Sequence, residues 1–503
     1  MKIQNTVFPI TVVFFERFKN KRENPTDNTK KSVHLSVNFA FPQKTILTFV
    51  KNSLMKKLIL LAVIGLGIVS CTTRKNTRKM TELPKDWKHN TNIYEVNIRQ
   101  YTQEGTFKAF AKEMPRLKSM GIKTLWFMPV TPIAQQNKKG SMGSPYAASD
   151  YTSINPEFGT LQDFKDMVNE AHRLGFKVII DWVANHTGWD HVWTKTHPEF
   201  YLKDPDGKFH IASGMDDIIE LDYKNPEMRQ AMIDAMKFWV QETNIDGFRC
   251  DLASWVEVDF WVQARPEVEK VKPLFWLGEF DELESPEYGK VFDASYSWKW
   301  MHKSADYYKK NEPLQELKDL LRQYSNIGDA SMRAWFTTNH DENSWNGTEY
   351  EKYGVITKPM AVFSATWNGV PLLYSGQELP NMKRLEFFEK DVIKWTNTYQ
   401  VADFYKTLLD LKASNPALRG GDANVTTYFL NTTANDKILA YVRKNGNDEV
   451  LVILNMSKEP VNFSIEDDHV SGTFRNIFDK TKRDFSHGKD FSFKVSDYAV
   501  FEK

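Results

Sequence analysis

Cysteine is almost missing from this chain. Only Cys71 and Cys250 occur among 503 residues, which excludes a disulfide framework as the source of stability. A surplus of either charge is missing as well. Lys and Arg number 66 against 65 Asp and Glu, so no bulk field recruits nucleic acid or an acidic partner. The apolar run at 58–69 falls short of the ~20 residues that a membrane-crossing helix needs. Internal repeats and low-complexity tracts are absent. Aromatic rings are plentiful, at 14% of the chain with 15 Trp. Most belong in a core, but the supply of flat faces is large enough to serve a ligand too.

The first eighty residues read separately from the rest. Met55-Lys-Lys precedes the 58–69 run, which carries Gly65 and Gly67 and ends at Ser70-Cys71. A charged start, a short apolar stretch and a small residue before the cut describe a secretory signal. Ile68-Val-Ser-Cys71 also resembles a bacterial lipobox, in which the cysteine becomes the lipidated N-terminus. On this reading 1–54 is an upstream extension outside the mature protein, 55–70 the signal peptide and 71–90 a polar tether. The mature protein is expected to cross the inner membrane and stay attached by lipid at Cys71, in the periplasm or at the cell surface. The stretch 72–79 lacks an acidic run, which favours the periplasm.

From Asn92 onward, strand and helix signals alternate, the βαβα pattern of a parallel sheet. Strands are expected at 93–98, 124–130, 177–183, 246–250, 275–279, 291–294, 334–338 and 370–374. Helices are expected at 107–120, 161–174, 226–243 and 404–413. Eight strands are enough to close a (β/α)8 barrel, here assigned to 91–415. The stretch 187–222 breaks the rhythm with Gly188, Pro198, Asp204-Pro-Asp-Gly207 and Gly214, and is expected to be a short irregular insertion after strand three. Beyond 416 the texture changes to short strands at 425–430, 438–442, 450–454 and 461–465, with no helix between them. The fold class is therefore α/β, with a C-terminal all-β sandwich domain over 416–503.

Four apolar runs stop at charged groups: Asp181-Trp-Val-Ala-Asn-His186, Gly247-Phe-Arg-Cys-Asp251, Leu277-Gly-Glu279 and Phe336-Thr-Thr-Asn-His-Asp341. In a (β/α)8 barrel, catalytic groups come from the C-terminal ends of several strands. Three carboxylates delivered that way, beside Arg and His, suit the cleavage of glycosidic bonds. Arg249 lies two residues before Asp251, hence on the same strand face, where a guanidinium would keep Asp251 ionised. Glu279 follows Phe275-Trp-Leu, an apolar setting that would raise its pKa. A lone Asp–Arg pair would be read as a fold-stabilising ion pair. Its company with Glu279 and Asp341 is what points to chemistry.

These stretches resemble, in order and spacing, the signature regions of the α-amylase family, glycoside hydrolase family 13. The resemblance implies that Asp251 is the nucleophile, Glu279 the general acid/base and Asp341 the transition-state stabiliser. It further implies that His186 and His340 bond the sugar at the cleavage point, with Tyr146 of Gly143-Ser-Pro-Tyr stacked beneath it and Arg249 beside it. Asp181 matches a supporting carboxylate on strand three. The implied activity is retaining hydrolysis of α-1,4-glucosidic bonds in starch, maltodextrin or maltooligosaccharides. A glucanotransferase of the same family, or a non-catalytic carbohydrate-binding scaffold, are the alternatives; the latter usually lacks one of the three carboxylates.

Departures from the family pattern matter. Where many members carry Lys-His after the nucleophile, this chain has Ser254-Trp255. Asn185 matches a calcium-binding asparagine, but Glu220-Leu-Asp222 only loosely resembles its acidic partner segment, so calcium is left open and no cofactor is taken as essential. Glu342-Asn-Ser-Trp345 supplies no basic residue for chloride. The short insertion fits an open cleft or a preference for small oligosaccharides. The first test is at the N-terminus. Mass spectrometry of mature protein should find lipidated Cys71 as the first residue, whereas an unmodified peptide spanning Ser70 to Thr72 would contradict it.

Overall fold

The computed structural model describes residues 86–503, apart from 328–330 and 397. The upstream extension, the signal segment, Cys71 and the tether as far as residue 85 lie outside the described residues. No helix among the described residues is long and apolar enough to cross a membrane.

Eight strands form the frame: β1 Ile93–Val96, β2 Thr124–Phe127, β3 Lys177–Val183, β4 Gly247–Asp251, β5 Phe275–Asp281, β6 Ala294–Tyr296, β7 Met332–Trp335 and β8 Val370–Tyr374. They close into a barrel in the order β1-β8-β7-β6-β5-β4-β3-β2, with every neighbouring pair parallel. Successive side chains on a strand turn to opposite faces, and the packing follows that parity. Tyr94, Leu125, Phe127, Val178, Ile180, Phe248 and Trp276 join Phe164, Met167 and Trp239 of the surrounding helices in one core. Their neighbours Ile93, Trp126, Ile179, Phe275 and Leu277 belong to another. Burial on both faces is why these strands read as nearly continuous apolar runs. Where β4 meets β5 the backbones come so close that a Cβ on Gly247 would lie 2.0 Å from the Phe275 carbonyl oxygen.

The eight expected strands are all present, though several ends shift. β6 starts at Ala294, not 291, and β7 ends at Trp335, short of 338. The helix expected over 107–120 is two, Phe107–Ala111 and Met114–Ser119. Pro115 opens the second, where its missing N–H has no helical partner to lose. The helix Pro226–Thr243 falls where its pattern placed it, capped by the Asn225 side chain on the N–H groups of Glu227 and Met228. The insertion after β3 is more ordered than expected. His186–Gly188 pairs antiparallel with Ile218–Glu220, and a helical turn, Val192–Thr196, lies between them.

Past the helix Ala402–Ser414, antiparallel strands build a six-stranded sheet and a two-stranded one. The first four expected strands are there. Four more follow, Thr473–Asn476, Lys482–Asp484, Asp490–Phe493 and Tyr498–Glu502. The β-domain shares a core with the barrel, through Leu439, Tyr441 and Val452 against Phe363, Leu408 and Leu411. Two buried basic side chains satisfy backbone carbonyls at this junction. Arg443 donates to the carbonyls of Thr366, Trp367 and Arg419 at 3.3, 3.2 and 2.8 Å. Lys412 donates to those of Gly369 and Leu418.

Candidate active site

The C-terminal ends of β3, β4, β5 and β7 bring four carboxylates to one end of the barrel. The register sets Asp181 of β3 beside Arg249 of β4, and Arg249 beside Leu277 of β5. Glu279 lies two residues past Leu277, on the same strand face. The Arg249 side chain is fully buried. Its Nη1 donates to Asp181 Oδ1 at 2.9 Å and to Asp251 Oδ1 at 2.9 Å. Its Nη2 lies 2.8 Å from Glu279 Oε2, an ion-pair contact bent away from hydrogen-bond geometry. Nε donates to the Tyr296 hydroxyl at 3.2 Å, and the rings of Trp126, Tyr146 and Tyr296 stand 5.1 to 5.8 Å from the guanidinium carbon. One planar fork thus serves three carboxylates, as a lysine ammonium could not.

The acidities are graded. Burial pushes Asp251 up and Arg249 pulls it back, leaving it at about 6. The sequence led us to expect Arg249 to dominate there; desolvation outweighs it. Burial likewise raises Glu279, against Arg249 and with the help of Asp251 and Asp341, to about 7. Asp181 rests at about 6 from the same opposition of burial and Arg249. Asp341 departs from this pattern. Burial raises it, but His340 beside it, with Nε2 at 3.2 Å from Oδ2, holds it below the ordinary carboxylate range.

Backbone geometry fixes the pair further. Leu252, directly after Asp251, sits in the left-handed region at φ 42° and ψ 43°. A leucine there costs about 1–3 kcal/mol, and the conformation aims its N–H at Glu279 Oε2, 2.9 Å away. Asp341 leads into a π-helical turn, Glu342–Asn346, a distortion common at functional sites. Behind it, buried Lys352 donates to Glu342 Oε2 at 2.8 Å.

Tyr146 and the two histidines take their places around this set. The Tyr146 hydroxyl donates to Asp181 Oδ2 at 3.0 Å and lies 2.8 Å from His340 Nε2. Trp126 Nε1 also donates to Asp181, at 3.2 Å. His186 is buried, with burial lowering its pKa to about 4, so it is neutral near pH 7. Its Nε2 has no hydrogen-bond partner among the described residues. Trp255 stands 45% exposed at the rim.

Sequence reasoning missed Glu95. This β1 carboxylate is fully buried and is in close contact with His340 Nδ1. Burial lowers the His340 pKa, but Asp341 and Glu95 overcome it and hold the ring well above its ordinary value. The available signal was parity, because Glu95 shares a strand face with Ile93 on an otherwise apolar strand.

The contacts of Asn185 and of the segment past Asp251 are made within the protein itself. Asn185 Nδ2 lies against His186 Nδ1 at 3.4 Å, and the Asn185 carbonyl accepts the Leu221 N–H at 3.1 Å. Past Asp251, the Tyr288 hydroxyl faces the carbonyls of Ser254 and Val256, at 3.3 and 2.8 Å. Among the described residues no three His, Cys, Asp or Glu side chains converge as a metal site.

A barrel that offers carboxylates of graded acidity around one guanidinium is the site of a glycoside-bond enzyme. The chain belongs to the α-amylase family: the α-amylase catalytic domain matches residues 72–204 and 198–419, and the maltogenic amylase C-terminal domain matches 429–501. The maltogenic α-amylase of Bacillus acidopullulyticus is 24% identical over 433 residues, which span 79% of this chain and 70% of that protein. A cyclomaltodextrinase from a Bacillus species is 26% identical over 395 residues, 70% of this chain and 66% of that one. The crystal structure of a maltogenic α-amylase from Thermotoga neapolitana matches with a TM-score of 0.75 at 28% identity, covering 82% of this chain and 99% of that one.

The Glu95–His340 contact yields a test. In Glu95→Gln the imidazole loses an anionic partner, so its pKa should fall towards the ordinary histidine value of ~6.5. Titration of the His340 ring by NMR should show that drop, with lower turnover alongside; an unchanged titration in a folded variant would refute the pairing.

Proposed function

We propose that the protein is a retaining hydrolase of α-1,4-glucosidic bonds in maltodextrin and maltooligosaccharides. The observation that carries this reading is the sharing of Arg249 between Asp251 and Glu279. Retaining glycosidases use two carboxyl groups about 5 Å apart, one as nucleophile and one as acid. A single guanidinium in contact with both keeps two such groups close while burial raises the proton affinity of each.

In the first step Asp251 attacks the anomeric carbon, the glycosidic C–O bond breaks, and Glu279 gives its proton to the leaving oxygen. In the second, Glu279 takes a proton from water, whose oxygen attacks the same carbon and releases Asp251. Positive charge develops on the sugar ring in both steps, and Asp341, kept ionised by His340, stabilises it. His186 Nε2, unpartnered among the described residues, bonds a hydroxyl group of the bound glucosyl unit, and Tyr146 offers its ring to the sugar face. His340, whose nitrogens are engaged by Glu95, Tyr146 and Asp341, acts through the charge it keeps on Asp341. No step needs a metal. If a sugar hydroxyl replaces water in the second step, the same site performs transfer, which appears as products longer than the substrate. We further propose that the mature protein works on the far side of the inner membrane, held by lipid at Cys71. One acyl chain anchors only marginally, so stable attachment needs more than one.

Two inversions at one carbon leave the α configuration, so NMR of fresh product from maltooligosaccharides should show the α anomer first; initial β anomer would exclude the mechanism. Glu279→Gln should cut turnover of unactivated oligosaccharides by roughly 10²–10⁴-fold, with a smaller loss for substrates whose leaving group needs no proton. Near-normal turnover of maltodextrin in that variant would overturn the assigned roles.

A further inference from the structure

Large hydrophobic side chains that stay well exposed are few among the described residues, and the two tryptophans among them occupy matching positions. Trp255 follows Asp251 by four residues, and Trp345 follows Asp341 by four. Trp345 is 53% exposed, yet it belongs to a chain of rings. Its centroid lies 5.4 Å from Phe387 and 5.7 Å from Phe388. Phe387 lies 6.1 Å from Tyr146, with the rings 20° from parallel. Tyr146 and His340 are 15° from parallel at 5.3 Å. They are also joined by the contact between the Tyr146 hydroxyl and His340 Nε2. Both of those atoms lie in the planes of their rings, so the rings are laid side by side, like tiles of a floor. Phe387 lies 6.1 Å from both of these rings, 20° and 34° from parallel, and Trp345, tilted 39° to Phe387, stands at the exposed end of the series.

The floor is held from beneath. Buried Gln100 donates from its amide to the carbonyls of Glu386 and Glu389, at 2.9 and 2.8 Å, bracketing Phe387. From the π-helical turn, buried Asn343 accepts the Leu385 N–H at 2.8 Å and donates to the Lys383 carbonyl at 3.1 Å. A loop pinned on both flanks by buried amides presents its rings without an ordering cost at binding. Flat apolar faces with a fixed spacing suit the apolar face of a sugar ring, and ring contacts run from Trp345 through Phe387 to Tyr146 at the cleavage point.

The side on which the floor lies also follows. Glu279 protonates the leaving oxygen, so the leaving half of the substrate passes Glu279 and its partner Leu252, which runs directly into Trp255. Trp345 and Phe387 stand with Tyr146, His340 and Asp341 instead. We propose that Trp345 and Phe387 form a stacking subsite for the glucosyl unit on the retained, non-reducing side of the cleaved bond, next to the unit over Tyr146. This rests on the hydrolase reading above and extends it to substrate length.

The test compares p-nitrophenyl α-glucoside with p-nitrophenyl α-maltoside, which differ by one glucosyl unit on the retained side and share a leaving group. Trp345→Ala should reduce the preference for maltoside, as a ratio of kcat/KM values, by about tenfold, mostly through KM. Trp345→Phe should keep most of it. Because both substrates report on the same preparation, poor folding cancels from the ratio. A Glu279→Gln background gives a second reading, in which Trp345→Ala should weaken maltotriose binding about tenfold by calorimetry. An active wild type whose ratio is unmoved by Trp345→Ala would overturn the subsite alone. A wild type that hydrolyses neither substrate nor maltooligosaccharides would overturn the hydrolase reading and the subsite with it.

Discussion

A single buried guanidinium holds the open end of this barrel together. Arg249 meets Asp181, Asp251 and Glu279 through its two terminal nitrogens, and three aromatic rings surround it. Buried charges of either sign cost several kcal/mol each unless they are paired. Without Arg249, three carboxylates this close in a dry pocket would not ionise together. Without the carboxylates, Arg249 would be an unpaired charge in the core. The cluster is therefore a mutual requirement, and the barrel satisfies it because neighbouring parallel strands put Asp181 and Arg249 in direct register.

Grading follows from how unevenly the cations are shared. Arg249 divides its attraction among three groups, and burial wins at each, so Asp181, Asp251 and Glu279 all stand above their ordinary values. Asp341 has His340 as a direct partner and falls below. His340 can act as that cation because Glu95 faces its other nitrogen. Two cations with different numbers of anions thus give the site one firmly ionised carboxylate and one that holds its proton near neutrality. The left-handed Leu252 adds a backbone N–H to Glu279, a strain that the rigid barrel strands on either side can sustain.

Much of this was legible in the sequence, and the reason is parity. Asp181, Arg249, Asp251 and Glu279 end apolar runs, and their spacing alone puts Arg249 and Asp251 on one face. The turn-rich insertion and the switch to short strands near 416 were equally plain. Tyr146, His186 and His340 were singled out through family resemblance, since nothing in their local spacing separates them from structural residues. Glu95 was not found. A lone Glu in an apolar strand acquires meaning only when closure places β1 next to β8 and brings His340 across to it. Phe387 escaped for a similar reason, because its position depends on Gln100 and Asn343, each distant in sequence. Among the last four strands of the β-domain, Lys482–Asp484 is short and polar, so no hydrophobic run marks it, whereas the run Tyr498 to Phe501 was there to be read. Arg249 was read as a simple ion-pair partner of Asp251. That it is shared, so that burial prevails at Asp251, is a property of three strands together.

The most direct test of shared-cation grading is the pH dependence of kcat/KM, which reports on the free enzyme. In the proposed mechanism Asp251 works ionised, so activity should rise as pH increases through about 6. In the same mechanism Glu279 works protonated, so activity should fall as pH increases through about 7. The account therefore predicts a narrow bell centred between those values, with limbs that belong to the interacting pair and not to either residue alone. A profile flat across that interval, or an optimum near pH ~4 where ordinary carboxylates titrate, would contradict it.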